Sequence, residues 1–381
     1  MSYSATLILL AGLLVSAYLP DGNSEASPKK TSAIIAAPST STLESKQEVR
    51  ILHIGDSHIQ ADFFTSEVRR LLRNYLRDTC PQRGFVFPFS TAGTNNPIDY
   101  KTTSTGSWST FKSTNLRDTS AFGINGIALK TADLAATISL RIKDEKSRFN
   151  RVRIFYSSNN ETTPTITGKF SIREIAKSKN GGSIDFTLST KADSITIALK
   201  SKASSDEFIL HGVLLEDTAS TFCYHSIGLN GASTSSFLRC NLLPAETKSI
   251  NPTHVIISLG TNDAYSPFFS PEGLESNLVA LIGKVREAAP QATIILTTPG
   301  DFLAKGGVTT PTPKIAAAVI TNVAEKNKCI AWDFFAQMGG EGSIDGWYKQ
   351  GLASPDRLHL SKEGYKVQGR MFFEWLTGIN S

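Results

Sequence analysis

The feature that most constrains this chain is a strand, a tight turn and a helix near its start, whose grammar breaks off and resumes only at about residue 253. Val49 to Ile54 reads as a short buried strand, Gly55-Asp56-Ser57-His58 interrupts it, and a helical pattern begins at about Asp62. Phe64, Val68, Leu71, Leu72 and Tyr75 fall on one helical face, with Arg69, Arg70, Arg73 and Asn74 opposite. One strand and one helix cannot close a core, so partners must come from elsewhere. They come late: a strand at Thr253 to Leu259, a helix at Pro271 to Ala288, a strand at Ala292 to Thr298, a helix near Lys314 to Lys326, a strand at Cys329 to Asp333, and a final helix at Ser361 to Leu376. This alternation predicts an α/β domain with a mainly parallel sheet and helices on both faces.

The intervening stretch is rich in Thr and Ser and carries short alternating segments at Ala136 to Ile142, Arg151 to Tyr156, Thr165 to Ile172, Ser183 to Leu188, Ser194 to Leu199 and Phe208 to Leu215. Turn pairs such as Asn159-Asn160 and Gly181-Gly182 separate some of them. The pattern predicts an antiparallel, jelly-roll-like β-sandwich, residues 88–216, inserted into an α/β domain made of residues 49–87 and 217–381.

Ahead of the folded part, Ala5 to Leu19 is apolar apart from Thr6 and Ser16, a length that suits a signal-peptide core and falls short of a span of about 20 residues. No Lys or Arg precedes the run, and Val15-Ser16-Ala17 is the small-residue cleavage candidate. The expectation is a signal peptide or N-terminal anchor at 1–22, a flexible linker at 23–48, and export to the periplasm or beyond. An uncleaved N-terminus is the single route to a membrane. The net charge of +5 is modest and the basic residues are dispersed, so nucleic acid is not an expected partner. Cys80, Cys223, Cys240 and Cys329 have no metal-ligand spacing. A Cys223–Cys240 disulfide and buried free thiols are both open.

A nucleophilic serine needs an exposed hydroxyl, a base, a group to orient the base, and donors for an oxyanion. Ser57 lies just past the first strand, where open α/β sheets hold their ligands. Asp356-Arg357-Leu358-His359 places a carboxylate three residues before an imidazole, so one loop can deliver both. Gly260-Thr261-Asn262-Asp263 follows the strand Thr253 to Leu259 and offers the Asn262 amide. Gly228-Leu229-Asn230-Gly231 offers the Gly231 N–H, and Ser57 offers its own.

These four blocks, in this order and at these strand ends, resemble the SGNH (GDSL-like) hydrolase superfamily. Gly55-Asp56-Ser57-His58 followed by a β insert resembles, within it, the bacterial O-acetylpeptidoglycan esterases, whose insert is similar to a family 35 carbohydrate-binding module. The segments His225 to Ala232 and Asp356 to Tyr365 look like the matching regions. The resemblance implies a three-layer α/β/α fold, catalytic Ser57, Asp356 and His359, and an oxyanion hole of Ser57, Gly231 and Asn262. It also implies an acetylated glycan, peptidoglycan first, as substrate, with no cofactor and no metal; we expect a monomer.

His58 and Trp347 are the candidates for substrate contact, each with a packing role as the plainer alternative. Asp263 is read as a structural hydrogen-bonder, and His53, His211, His225 and His254 as core residues. The same residues serve an O-acetyltransferase or an esterase acting on another polysaccharide, and a glycan-binding protein with an inactive hydrolase fold is the non-enzyme reading.

Overall fold

Five strands form one parallel sheet in the order Phe222–Gly228, Val49–Gly55, His254–Ser258, Thr293–Thr297, Ile330–Trp332. The computed structural model describes residues 48–379 apart from 81, 145, 159–161, 179–181 and 202–205. The expected leader, nearly all of the expected linker, and the turn residues Asn159, Asn160 and Gly181 lie outside the described residues.

Successive residues of each strand point to opposite faces, and the two cores follow that alternation. Leu52, Ile54, Val255, Ile257, Ile294 and Leu296 pack with Leu278, Leu281, Ile282 and Val285 of the helix Pro271–Ala288 and with Ile320 and Val323 of Thr312–Lys326. Ile51, Ile256 and Ile295 pack with Phe64, Val68 and Leu72 of Phe63–Tyr75 and Phe372 and Leu376 of Lys362–Thr377. The result is a three-layer α/β/α fold. Pro271–Ala288 begins where the sequence places it, with Ser270 capping Gly273 N–H and proline at the first helical position.

The stretch between the α/β halves forms two antiparallel sheets. One runs Ser109–Lys112, Ile127–Thr131, Phe208–Glu216, Phe149–Ser158, Ser183–Ala192, Ile172–Lys177, with Gly84–Val86 also paired to Phe208–Glu216. The other runs Tyr100–Thr105, Thr137–Ile142, Ser194–Lys200, Thr163–Thr167.

The structure departs from the sequence reading at three places. The segment Thr165 to Ile172 is not one strand: the chain bends at 168–171 and its halves, Thr163–Thr167 and Ile172–Lys177, join different sheets. A Cβ on Gly168 would lie 2.3 Å from the Phe170 ring, so the ring would have to turn aside. Phe222–Gly228 forms a strand although His225 and Ser226 interrupt its apolar run: both faces are covered and His225 is fully buried. Arg69, placed on the polar face of its helix, is buried. It donates to Asp62 at 2.8 Å and to Asp99 at 3.1 Å, and Arg83 pairs with the same two carboxylates. Arg83, ahead of the insert, and Asp99, within it, cover that face, so the charges are buried as a network. Of the two possibilities open for the cysteines, the structure has free thiols at all four, with Cys223 and Cys240 buried.

Candidate active site

The order of the parallel sheet reverses at Val49–Gly55, which has neighbours from later in the chain on both sides. Ligand sites of doubly wound sheets open at the carboxyl end of such a strand. The one-turn helix Ser57–Gln60 starts there, packed so closely on the neighbouring strand that a Cβ on Gly228 would lie 2.1 Å from Gln60 N and 2.7 Å from Asp56 O. Asp56 caps the turn by accepting from His58 N–H at 3.0 Å. Ser57 is the first helical residue, so its N–H has no partner in the helix and is free to face a ligand.

Ser57 Oγ lies 2.9 Å from His359 Nε2, and His359 Nδ1 lies 2.8 Å from Asp356 Oδ2. A carboxylate can only accept from Nδ1–H, so Nε2 carries the lone pair and the Ser57 hydroxyl donates to it. Asp356 Oδ1 also accepts the backbone N–H groups of Leu358 and His359, each at 3.0 Å. Burial raises the Asp356 pKa, but the bonds from the His359 ring and from these two amides outweigh it and leave it below the usual value. Both amides turn inward because Arg357 adopts φ +49°, a conformation that costs on the order of 1 kcal/mol. The Arg357 guanidinium sits 4.6 Å over the Tyr348 ring and pairs with Asp345, which holds the loop in place.

An open cleft of about 530 Å³ surrounds the pair, lined by Ser57, Gly231, Asn262 and His359 together with Asn95, Asn230 and Tyr365. Gly231 adopts φ +76°, which favours glycine, and its Cβ position faces open space. Asn262 points both amide hydrogens at acceptors, Asp56 Oδ2 at 3.1 Å and Ala232 O at 2.9 Å. To stabilise an oxyanion it must share one of those bonds. Asp263 accepts the N–H and hydroxyl of Thr234 and so anchors the start of the helix Thr234–Leu238, the structural role expected of it.

The two candidates for substrate contact fare differently. His58 forms part of the cleft wall, but Nδ1 bonds the Tyr365 hydroxyl at 2.9 Å and Nε2 is buried, so it offers a ring and no exposed nitrogen. Burial, reinforced by His359, lowers its pKa to about 3, which keeps it neutral where it stacks on His359, ring centroids 5.1 Å apart. Trp347 is a correction. It belongs to the helix Ser343–Lys349, is 9% exposed, packs edge-on against Phe334 and donates its indole N–H to Met338 O at 3.0 Å. Gly339, Gly340 and Gly342, all at positive φ, make the turn that precedes this short helix, and the amphipathic indole has a buried partner.

Asp56, Gln60, Asn95 and Tyr365 have places in the site that the sequence reading did not assign them. Buried Asp56 has its pKa raised to about 7 by burial, against the His58 N–H and the charge of His359, and it orients Asn262. Asn95 meets Asn230 across the cleft at 2.9 Å, and Gln60 binds both, donating to Asn95 and accepting from Asn230 N–H at 2.8 Å. Tyr365 pins His58 from 307 residues away. Asn95-Asn96 is a local polar signal, but nothing local tells a turn from a cleft wall.

The GDSL-like Lipase/Acylhydrolase family model matches residues 193–367, which include Gly231, Asn262, Asp356 and His359 and leave Ser57 upstream. No curated protein matches the chain. Among solved structures, one titled "Peptidoglycan O-acetylesterase in action" is 22% identical with a TM-score of 0.72, covering 89% of this chain and 93% of its own. A carbohydrate acetylesterase from Sinorhizobium meliloti is 17% identical with a TM-score of 0.32, covering 41% of this chain and 79% of its own. Residues 193–367 thus match the GDSL-like Lipase/Acylhydrolase family model, and 89% of the chain shares its fold with the peptidoglycan O-acetylesterase structure.

Proposed function

We propose that this protein removes O-acetyl groups from a cell-wall glycan, peptidoglycan first, through an acetyl-enzyme on Ser57. The observation that carries the reading is the relay from Ser57 through His359 to Asp356, opening into a cleft that also presents Asn95, Asn230 and Asn262. These amides offer hydrogen-bond partners to a hydroxyl- and amide-rich leaving group. The likeness in fold to a peptidoglycan O-acetylesterase supports the same substrate class.

In the first half-reaction Ser57 Oγ attacks the acetyl carbonyl while His359 Nε2 takes the hydroxyl proton. The bond from the acetyl carbon to the sugar oxygen then breaks, and His359 gives that oxygen the proton. In the second, water attacks the acetyl-serine, His359 takes a proton from it, and acetate leaves as Ser57 is reprotonated. The N–H groups of Ser57 and Gly231, with the Asn262 amide, hold the oxyanion in both; each such donor is worth about 2.7 to 4 kcal/mol.

The organisation we propose is a hydrolase formed by residues 49–87 and 217–381 around an insert of 88–216, acting as a monomer outside the cytoplasm. The apolar run at Ala5 to Leu19 supports export. The test is acetate release from O-acetylated peptidoglycan, beside acetylated xylan and 4-nitrophenyl acetate. Release from peptidoglycan that falls on the order of 10⁴-fold or more in Ser57→Ala is the expected result. Activity confined to xylan or the small ester overturns the substrate, and an active Ser57→Ala overturns the mechanism.

A further inference from the structure

A second groove, about 580 Å³, opens from the catalytic cleft and shares Gly231 and Asn262 with it. Its walls come from both parts of the chain: Leu116 from the insert on one side, and Phe268, in the loop before the helix Pro271–Ala288, on the α/β side. These are the most exposed large apolar residues described, at 84% and 91%. A single exposed apolar side chain needs no explanation, but two that line one groove beside a catalytic cleft do.

Neither residue sits on an unsupported loop. Arg239 donates to the carbonyls of Ser113, Asn115 and Asp118 and so straps the Leu116 turn to the helix Thr234–Leu238, while Asp118 also accepts Lys112 N–H at 2.7 Å. On the other side Ser266 accepts the N–H groups of Phe268, through its hydroxyl at 3.2 Å, and of Phe269, through its carbonyl at 3.1 Å. Both apolar groups are therefore presented to solvent at a cost that packing does not repay. Between them the groove is lined with hydroxyl and amide groups, among them Ser235, Ser270 and Asn277. An apolar face flanked by short polar groups matches a pyranose, whose ring carbons form a flat apolar surface edged by hydroxyls and amides. An alkyl chain would leave those polar groups without partners.

We propose that this groove binds the glycan chain carrying the ester, with a sugar ring stacked on Phe268 and Leu116 as the opposing wall. The assignment rests on the reading of the substrate as an acetylated polymer and adds where that polymer runs. The groove joins the cleft at Gly231 and Asn262, on the oxyanion side, so a strand whose acetyl group sits at Ser57 leaves along it. The insert then takes part in substrate binding through Leu116.

The test uses the full chain with Phe268→Ala, Leu116→Ala, the double variant and Phe268→Trp. Acetate release from O-acetylated peptidoglycan sacculi is compared with hydrolysis of 4-nitrophenyl acetate and 4-nitrophenyl octanoate. The expected result is a fall of about tenfold in the sacculus-to-acetate-ester rate ratio for the double variant, through a higher half-saturating sacculus concentration, with Phe268→Trp close to wild type. An unchanged ratio overturns the assignment. A loss confined to the octanoate ester overturns it in favour of an acyl-chain groove. Wild-type protein that hydrolyses the small ester and leaves sacculi intact refutes the substrate reading instead, and the occupant named here with it.

Discussion

Gly228→Ala tests whether the nucleophile is positioned by packing against the neighbouring strand. An added Cβ would lie 2.1 Å from Gln60 N, where ordinary contact begins at 3.4 Å, so something must move by about 3.4 − 2.1 = 1.3 Å. The strand cannot retreat, because Phe222–Gly228 is paired in register with Val49–Gly55 along its whole length. What gives is the four-residue helix Ser57–Gln60. A shift of that size takes Ser57 Oγ, now 2.9 Å from His359 Nε2, out of hydrogen-bond reach. Misplacement by about 1 Å typically costs about 10²-fold in rate, and overpacking costs about 1 to 3 kcal/mol of stability.

The assay is kcat/KM on 4-nitrophenyl acetate with thermal melting alongside, and Gly346→Ala is the control. Gly346 lies inside the helix Ser343–Lys349 with no atom near its Cβ position, so alanine there is expected to stabilise by about 0.5 to 1 kcal/mol without loss of rate. A folded Gly228→Ala protein whose kcat/KM stays within about threefold of wild type would refute the reasoning.

Asp356→Asn is expected to lower kcat by about 10³-fold with the fold intact. An amide nitrogen facing His359 Nδ1 favours the tautomer that turns N–H toward Ser57, and the half-exposed position lets water soften the effect. Steady-state kinetics with a melting curve checks it, and full activity would remove Asp356 from the relay. Glu246→Gln is expected to gain stability as pH rises. Burial raises the Glu246 pKa from 4.5 to about 8, so its contribution is fully present below about 4.5 and is lost as pH rises toward 8, while glutamine can still accept Ile124 N–H and does not ionise. Urea melts should show the variant gaining on the order of 3 kcal/mol over wild type between about pH 5 and pH 8, and a difference that stays flat would refute it.

What could be read in the sequence was whatever a local pattern records. The apolar runs at Val49, Thr253 and Ala292 and the periodic helices declare themselves because burial on a sheet face or helix stripe dictates residue type over a few consecutive positions. The relay was legible for a related reason: Asp356 and His359 share one loop, and Ser57 follows its strand directly. The rest depends on distant approach. Arg69 reads as a solvated charge until Asp99 arrives to bury it, and Trp347 reads as a loop aromatic until Phe334 and the Met338 carbonyl enclose it. The strands Tyr100–Thr105 and Ser109–Lys112 lack apolar alternation because the first is largely exposed and the second has no buried residue.

The inserted sandwich and the hydrolase also share structure that the sequence separates. Phe122, Ile124 and Ile127 of the insert lie in one buried cluster with Leu229, Ala232 and Phe237, the residues flanking the Gly231 turn. A Cβ on Gly126 would lie 2.9 Å from the Leu229 side chain, and buried Glu246 accepts Ile124 N–H from across the chain. The Gly231 turn is therefore braced on its inner side by the insert, while Arg239 ties the same two parts together along the outer groove. A substitution deep in the β-sandwich can then change kcat without touching any group that meets the substrate, because the position of Gly231 depends on packing that both halves of the chain supply.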